Sequence, residues 1–222
     1  MSYRGHTFET VPLGIYELCL DVIKKYGLSP KRILDLGSHH GQGLKLLGDA
    51  SHCERYVMVE PMAKNVAVIR SVLASRSSDS IPHASMFPGI IGKEQGFAKF
   101  YELQDNDESS NLYNSRDVAS YGKADETIVP IAMFNDITDH LGGRIDFLKC
   151  NIEGGEYQLI DEGFFNLVDS FLVEVHNIHC PRGDGTWMNV LDFIAPLQND
   201  FELISHGELW HKYCFVSGLR IA

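Results

Sequence analysis

The segment "RILDLGSHHGQG", residues 32–43, limits what this chain can fold into more than any other stretch. Its apolar run Ile33 to Leu36 contains one acid, Asp35, and is followed by Gly37 and Gly41. A short apolar run that ends in glycine is typical of a buried strand entering a tight turn. Gly37 lets the backbone turn tightly and Gly41 lets a ligand or helix approach closely, so the segment predicts a ligand held partly by backbone atoms.

Strand-like and helix-like segments alternate along most of the chain. The clearest strands are "RILDLG", "RYVMVEP", "IDFLKCNI" and "SFLVEVH", and "PHASMFPGII" is a weaker one because Pro88 restricts it. The helical segments are "YELCLDVIKKYG", "QGLKLLGDA", "AKNVAVIRSVLASR", "GEYQLIDEGFFNLV" and residues 187–197. The closing "FELISHGELWHKYCFVSG" reads as two alternating runs. This order predicts an α/β fold with a mainly parallel sheet, helices on both faces and an antiparallel hairpin at one edge.

The chain length bounds the domain organisation. With 222 residues the chain can close one substantial core, so we predict a single domain over 1–222 that opens with a helical segment within 1–30. Between the strand-like "FAKFYEL" and "TIVPIAM", the stretch from Gln104 to Glu126 is long, polar and without clear period. Such a stretch is a lid over a binding site or a flexible loop, and the sequence does not choose between them.

Composition excludes several classes of partner. The net charge of −11 argues against nucleic-acid binding, because phosphate contacts depend on Lys and Arg. The five cysteines form no CxxC pair and are expected to be reduced thiols. No signal peptide and no membrane-spanning apolar run is visible. We therefore expect a cytoplasmic protein with a small-molecule or glycan acceptor and with no nucleic-acid or membrane partner. A homodimer is left open.

Two acids end neighbouring predicted strands. Ligands of open α/β sheets bind at the carboxyl ends of the strands. The turn spacing is DxGxxxG rather than the dinucleotide fingerprint GxGxxG, and an acid at this place suits a ligand with a positive amino group. Glu60 ends "VMVEP" 25 positions after Asp35, where a carboxylate can accept ribose hydroxyls. The pair favours S-adenosylmethionine as cofactor, although each acid alone is also explained by a tight turn with a helix cap.

Four segments recur in the order of a known family: "DLGSHHGQG", "VEP", "LKCNIEGGE" and "VEVH". From Ile33 to His176 the chain resembles the FkbM-type methyltransferases, a class I family that depends on S-adenosylmethionine. The resemblance implies a Rossmann-like, mainly parallel seven-stranded sheet and O-methylation of a sugar or small metabolite. It also implies cofactor contacts at Asp35, Gly37, Ser38, Gly41, Glu60 and Pro61. The family usually carries an aspartate where this chain has Asn151, which puts in doubt any role that needs a negative charge there.

The segment "LKCNIEGGE" and the end of "LVEVH" carry the candidate catalytic residues. Lys149, Asn151 and Glu153 are expected around the transferred methyl group, with Asn151 in a positioning role. His176 is the favoured general base, because a neutral imidazole accepts a proton near pH 7, and Glu153 is expected to orient it or the acceptor. Lys149 serves either catalysis or an internal ion pair. We predict no metal, but Glu174, His176, His179 and Asn151 leave a divalent-metal site open as an alternative.

Other function classes remain as alternatives. One is an accessory protein that binds the cofactor but has weakened chemistry, which Asn151 keeps open. A second is an NAD(P)-dependent oxidoreductase, disfavoured by the missing third glycine. A nucleic-acid methyltransferase is disfavoured by the acidic charge.

Overall fold

The helices of this computed structural model follow the predicted alternation in part. The structure describes residues 8–9, 14–76, 81–103, 124–177, 186, 188–207 and 213–221. Its α-helices are α1 (Ile15–Lys25), α2 (Ala63–Ser75), α3 (Phe134–Leu141), α4 (Glu156–Asp161) and α5 (Val190–Leu197). A π-helix spans Leu44–Asp49 and a 3-10 helix spans Phe164–Leu167.

The strands of the described residues form a large and a small sheet. They are β1 (Phe8–Glu9), β2 (Arg32–Leu36), β3 (Arg55–Glu60), β4 (His83–Pro88), β5 (Ile90–Gly92), β6 (Phe97–Leu103), β7 (Ala124–Met133), β8 (Phe147–Cys150), β9 (Ser170–His176), β10 (Phe201–His206) and β11 (Tyr213–Arg220). The large sheet has the order β1-β10-β11-β9-β8-β2-β3-β4, and the small sheet has the order β5-β7-β6.

The large sheet confirms the predicted architecture. Its neighbours pair in parallel except at β11, which runs antiparallel to both β9 and β10. The antiparallel hairpin β10–β11 therefore lies toward one side of the sheet, as the closing alternation predicts. The two-residue β1 extends that side beside β10 and was not predicted.

Apolar residues on both faces of the central strands explain why the sheet is covered on both sides. Ile33 and Phe147 pack on one face with α1, the π-helix and Leu172. Leu34 and Leu148 pack on the other face with residues of α3, α4 and α5. A parallel sheet with two helical layers buries nearly continuous apolar runs, which is what β2 and β8 show.

Several elements differ from expectation for local reasons. "PHASMFPGII" divides into β4 and β5, which belong to different sheets, at Gly89 with φ +119°. The last helix begins at Val190 instead of residue 187, because Asn189 and Asp192 form a capping box there. "GEYQLIDEGFFNLV" is interrupted at Gly163, whose φ of +74° separates α4 from the 3-10 helix.

Two further expectations meet the described residues only in part. The helix expected within 1–30 is α1, which buries Leu18, Cys19 and Val22. Of the expected lid Gln104–Glu126, residues 104–123 lie outside the described residues, and 124–126 begin β7. Among the described helices, none is long and apolar enough to cross a membrane.

Candidate active site

The turn after β2 is tied to both neighbouring strands at the carboxyl edge of the sheet. The Gly37 and Ser38 N–H groups donate to the Val59 carbonyl at 3.0 and 3.3 Å. Gly37 has a φ of +69°, and a Cβ there would lie 1.7 Å from the carbonyl oxygen of Asn151. Only glycine fits where the turns after β2 and β8 approach so closely, which agrees with its predicted role.

The other predicted cofactor residues lie around this turn. The Ser38 hydroxyl donates to the Asp35 carbonyl at 2.7 Å and thereby closes the turn. Gly41 has a φ of +76° and its N–H donates to the Ser38 carbonyl at 2.8 Å. Pro61 is half-buried in the connection between β3 and α2. Together with Glu60, these residues lie at the carboxyl ends of β2 and β3.

Glu60 is a buried carboxylate with partly filled hydrogen-bonding capacity. Its Oε2 accepts the His39 N–H at 2.8 Å, and its Oε1 accepts the Met62 N–H at 3.0 Å and the Asn65 amide at 3.2 Å. Burial raises the pKa of this carboxyl, and these hydrogen bonds oppose the rise. Because a carboxylate offers about four acceptor sites, Oε2 keeps capacity for a ligand hydroxyl.

Asp35 is held inside the protein by three side chains. Its Oδ2 accepts hydrogen bonds from the Tyr56 hydroxyl at 2.8 Å and from the Tyr16 hydroxyl at 3.3 Å. Lys149 Nζ lies 3.0 Å from Asp35 Oδ1, and it donates to the carbonyls of Leu36 at 3.2 Å and Gly37 at 2.7 Å. Both members of this ion pair are almost fully buried. The predicted contact of Asp35 with a cofactor amino group stays a prediction, because the described partners of this carboxylate all belong to the chain itself.

The charge states in this network follow from the contacts. Burial alone lowers the pKa of Lys149, but the Asp35 carboxylate outweighs it and the pKa lies above its usual value. Burial and the Asp35 charge raise the pKa of Tyr16 and of Tyr56, so both phenols stay neutral donors. Of the two roles left open for Lys149, the geometry favours the internal ion pair, which also fixes the glycine turn through two carbonyls.

His176 lies between carboxylates at the end of β9. Its Nε2 is 3.2 Å from Glu153 Oε2, and its Nδ1 is 3.1 Å from Glu156 Oε1. Glu156 Oε1 also accepts the His176 N–H at 2.6 Å, while Glu156 Oε2 accepts the Gly154 N–H at 2.8 Å. The fully buried Glu156 therefore joins the turn after β8 to the end of β9.

The same contacts change the role that His176 can have. Burial lowers the pKa of His176, but Glu153 and Glu156 outweigh it and hold this pKa well above the ordinary value. A carboxylate oxygen at each ring nitrogen favours the doubly protonated imidazole, which has no lone pair with which to accept a proton. This geometry does not favour the neutral general base predicted for His176. Of the two roles predicted for Glu153, orienting His176 or the acceptor, its contact fits the first, and the role itself stays a prediction.

Glu153 and Glu174 are the acidic side chains of this cluster that reach solvent. Each side chain is 12% exposed, and Glu174 Oε1 lies 3.8 Å from His176 Nε2. Glu153 has a φ of +52°, a left-handed conformation that is uncommon for residues other than glycine, and Gly154 follows at +101°. Strained backbone of this kind concentrates at functional sites, and the catalytic role of Glu153 stays a prediction.

Asn151 is the first residue after β8 and lies two positions before Glu153 in the chain. Its N–H donates to the Leu36 carbonyl at 3.0 Å. Its side-chain Oδ1 is fully buried and accepts no hydrogen bond from the described residues. An orphaned buried acceptor next to a glycine turn is suited to a ligand donor, and the positioning role of Asn151 stays a prediction.

The alternative metal site is only partly described. Within the described residues, no group of three or more His, Cys, Asp or Glu side chains is arranged to hold a metal ion. His179 lies outside the described residues.

Several residues of the site escaped the sequence analysis. Tyr16, Tyr56, Asn65 and Glu156 are all buried or partly buried polar contacts of predicted site residues. Glu156 occupies the first turn of α4, where the helix dipole already explains an acid, so the sequence offers no further signal there. For Asn65, its place five residues after Glu60 in the first turn of α2 was the available signal.

The mainly parallel sheet with helices on both faces defines a Rossmann-like fold. The sequence pattern of the methyltransferase FkbM domain matches residues 35–203, most of the chain. The chain belongs to the FkbM methyltransferase family, as its motifs predict. No curated protein matches its sequence significantly.

Solved structures agree in fold at low sequence identity. The chain is similar to the methyltransferase FkbM from Methylobacillus flagellatus KT with a TM-score of 0.54 and 17% identity, over 85% of this chain and 44% of that one. It is similar to the EvdMO1 N-terminal domain with SAH bound, with a TM-score of 0.52 and 12% identity, over 96% and 82% of the two chains. For full EvdMO1 the values are 0.52 and 14%, over 99% and 45%. The chain thus spans less than half the length of two of these proteins.

Proposed function

We propose that the protein is an S-adenosylmethionine-dependent O-methyltransferase that acts on a hydroxyl of a sugar or small metabolite. The observation that carries the proposal is the contact between Glu60 and the turn that begins at Gly37, in which the His39 N–H donates to Glu60 Oε2. Both lie at the carboxyl ends of β3 and β2, beside β8, where the direction of strand order reverses. Ligands of open α/β sheets bind at such a switch point.

The residues present fit the proposed cofactor. Glu60 Oε2 has capacity to accept a ribose hydroxyl, and Asn65 beside it is almost fully buried with an Oδ1 that accepts no hydrogen bond from the described residues. The orphaned Asn151 Oδ1 offers an acceptor to the methionine end. Burying two acceptors that have no hydrogen-bond donors costs folding free energy, and hydrogen-bond donors of a ligand would satisfy both.

The similar proteins support the class of ligand. An EvdMO1 N-terminal domain structure carries SAH, and another was obtained in the presence of SAH and D-fucose. The shared fold makes SAH a reasonable product and a sugar hydroxyl a reasonable acceptor for this chain.

The chemistry assigned to the protein is modest. The bound cofactor supplies a methyl group on a sulfonium, which is already a good leaving group. The chain must orient the acceptor hydroxyl and remove its proton. The charged His176, held from two sides by Glu153 and Glu156, fixes the position of the carboxylates around the acceptor.

The proposal is tested by mass spectrometry on purified protein. Incubation with S-adenosylmethionine and a panel of monosaccharides, D-fucose included, is expected to give a product heavier by one methyl group together with SAH. The Glu60→Ala variant is the control, because it removes the expected cofactor contact while leaving the acidic cluster at His176 intact. SAH binding without methylation of any panel member would favour the accessory-protein alternative.

A further inference from the structure

We infer that Glu174 is the residue that takes the proton from the acceptor hydroxyl. This inference rests on the proposed function and names the general base of that same site. In this inference Glu174 takes the role of general base that was predicted for a neutral His176. From the sequence, Glu174 was a candidate only as a metal ligand.

The position of Glu174 follows from strand register. Cys150 of β8 pairs with Val173 of β9, so Glu174 lies level with the first residue after β8, Asn151. Side chains alternate between the faces of a strand, which puts Leu172, Glu174 and His176 on one face. Leu172 packs on the α1 side of the sheet. Glu174 thus lies near the carboxyl end of β9, level with Asn151 and two residues before His176.

Glu174 is the least engaged carboxylate of the cluster. Among the described residues, the ionic contact of its side chain is the 3.8 Å approach of Oε1 to His176 Nε2. Glu156 is committed to two backbone N–H groups and to the imidazole. Glu153 lies nearer to His176 than Glu174 does, because its Oε2 is 3.2 Å from His176 Nε2 and is engaged in that ion pair. A partly exposed carboxylate without a hydrogen bond is the one that can accept a proton from a ligand.

The charged groups around Glu174 give it suitable basicity. His176 faces it from its own strand, Lys149 from β8, and Glu153 and Glu156 from the turn and helix that follow. On the β11 side it is paired with Phe215, which carries no charge. Burial raises the pKa of Glu174 to about 7, with Glu153 adding to the rise and His176 opposing it. A general base is most effective when its pKa lies near the working pH.

The proposed step balances in atoms and charge. The hydroxyl proton passes to the Glu174 carboxylate as the oxygen forms a bond to the methyl carbon. The carbon–sulfur bond breaks, and its electron pair stays on sulfur. The site begins with one positive sulfonium and one negative carboxylate and ends with a neutral thioether and a neutral carboxylic acid. Because no net charge is created at the buried edge, the transfer requires no compensating ion.

The test combines carboxyl titration with kinetics. Carbon-13 NMR of glutamate-labelled protein saturated with SAH should show one carboxyl titrating near pH 7 that disappears in Glu174→Gln. With S-adenosylmethionine and D-fucose or another methylated panel member, Glu174→Gln should lower kcat about 10²- to 10⁴-fold. Wild-type kcat should rise with pH through about 7, and the residual activity of Glu174→Gln should lack this rise. Glu54→Gln, at the amino end of β3 and 62% exposed, is the matched control and should behave as wild type.

Each outcome decides a separate point. A Glu174 carboxyl that titrates near pH 4.5, or a Glu174→Gln variant with the wild-type rate and pH profile, overturns the assignment whether or not methyl transfer occurs. Loss of the pH limb in Glu153→Gln but not in Glu174→Gln would also overturn it, in favour of Glu153. Unchanged SAH affinity in Glu174→Gln supports a role in the chemical step. A wild-type protein that binds SAH but methylates no hydroxyl overturns the proposed function, and the base with it.

Discussion

Lys149 Nζ and Asp35 Oδ1 lie 3.0 Å apart in the protein interior, and register places the two residues side by side on β8 and β2. The ion pair lies next to the Gly37 turn, which is proposed to contact the cofactor. Through the Leu36 and Gly37 carbonyls, Lys149 also fixes the backbone of that turn. A structural ion pair therefore supports the shape of the ligand site.

Removal of Lys149 should strongly destabilise the fold. Lys149→Met leaves the Asp35 carboxylate buried without its cation, and breaking a buried pair in this way costs about 3–5 kcal/mol. Urea unfolding measures the loss. The control is Arg144→Met, which breaks the exposed pair with Asp169 and should cost about 1 kcal/mol or less. Equal losses in the two variants would contradict the importance given to the buried pair.

Gly37→Ala should be much more damaging than an alanine at another left-handed glycine. The new Cβ would lie 1.7 Å from the Asn151 carbonyl oxygen, so the turns after β2 and β8 would have to separate. Gly27 has a similar φ of +61° but nothing within 4 Å of a Cβ, so Gly27→Ala should cost only about 1 kcal/mol of strain. Thermal unfolding compares the two. Similar melting temperatures would show that the turns do not pack as described.

Stability should fall with rising pH through the carboxyl of Glu174. Its pKa is about 7 in the folded protein and 4.5 in the reference state, so between these values the folded state binds more protons. The stability it contributes is present below about pH 4.5 and is lost by pH 7, a change of about 3 kcal/mol. Glu174→Gln should remove this part of the decline in urea unfolding.

His176 should produce a second decline at higher pH. Its folded-state pKa lies above the ordinary 6.5, so its contribution is complete below that value and is lost as pH rises through the folded pKa. This decline should persist in Glu174→Gln. If Glu174→Gln and wild type show parallel profiles from pH 4.5 to 7, the raised pKa of Glu174 is wrong.

Much of the architecture could be predicted because it depends on local patterns. An apolar run that contains Asp35 and another that ends in Glu60 identify β2 and β3, and Gly37 marks the turn that needs a positive φ. A visible signal was also missed. Phe134, Ile137, Thr138 and Leu141 have helical spacing and are the buried residues of α3, which was not predicted.

The chemistry of the site could not be predicted to the same depth, because it depends on contacts between distant segments. His176 has a suitable pKa in isolation, but Glu153 and Glu156 come from another turn, and only the folded register brings them to its two ring nitrogens. Likewise, the sequence indicates that Asp35 is available to a ligand, whereas in the structure its carboxylate contacts Tyr16, Tyr56 and Lys149. Sequence spacing identifies which residues reach the edge, but not which are already paired there.

Titration calorimetry of SAH into wild-type protein and Glu60→Ala tests the account most directly. Wild type should bind SAH at one site. Loss of the charge-assisted hydrogen bonds in Glu60→Ala should weaken binding by about 2 kcal/mol or more, about 30-fold. Glu54→Ala, which removes an exposed carboxylate from the opposite end of β3, should bind as wild type does. Unchanged SAH affinity in Glu60→Ala, or tight binding of NADH with none of SAH, would contradict the proposed cofactor site.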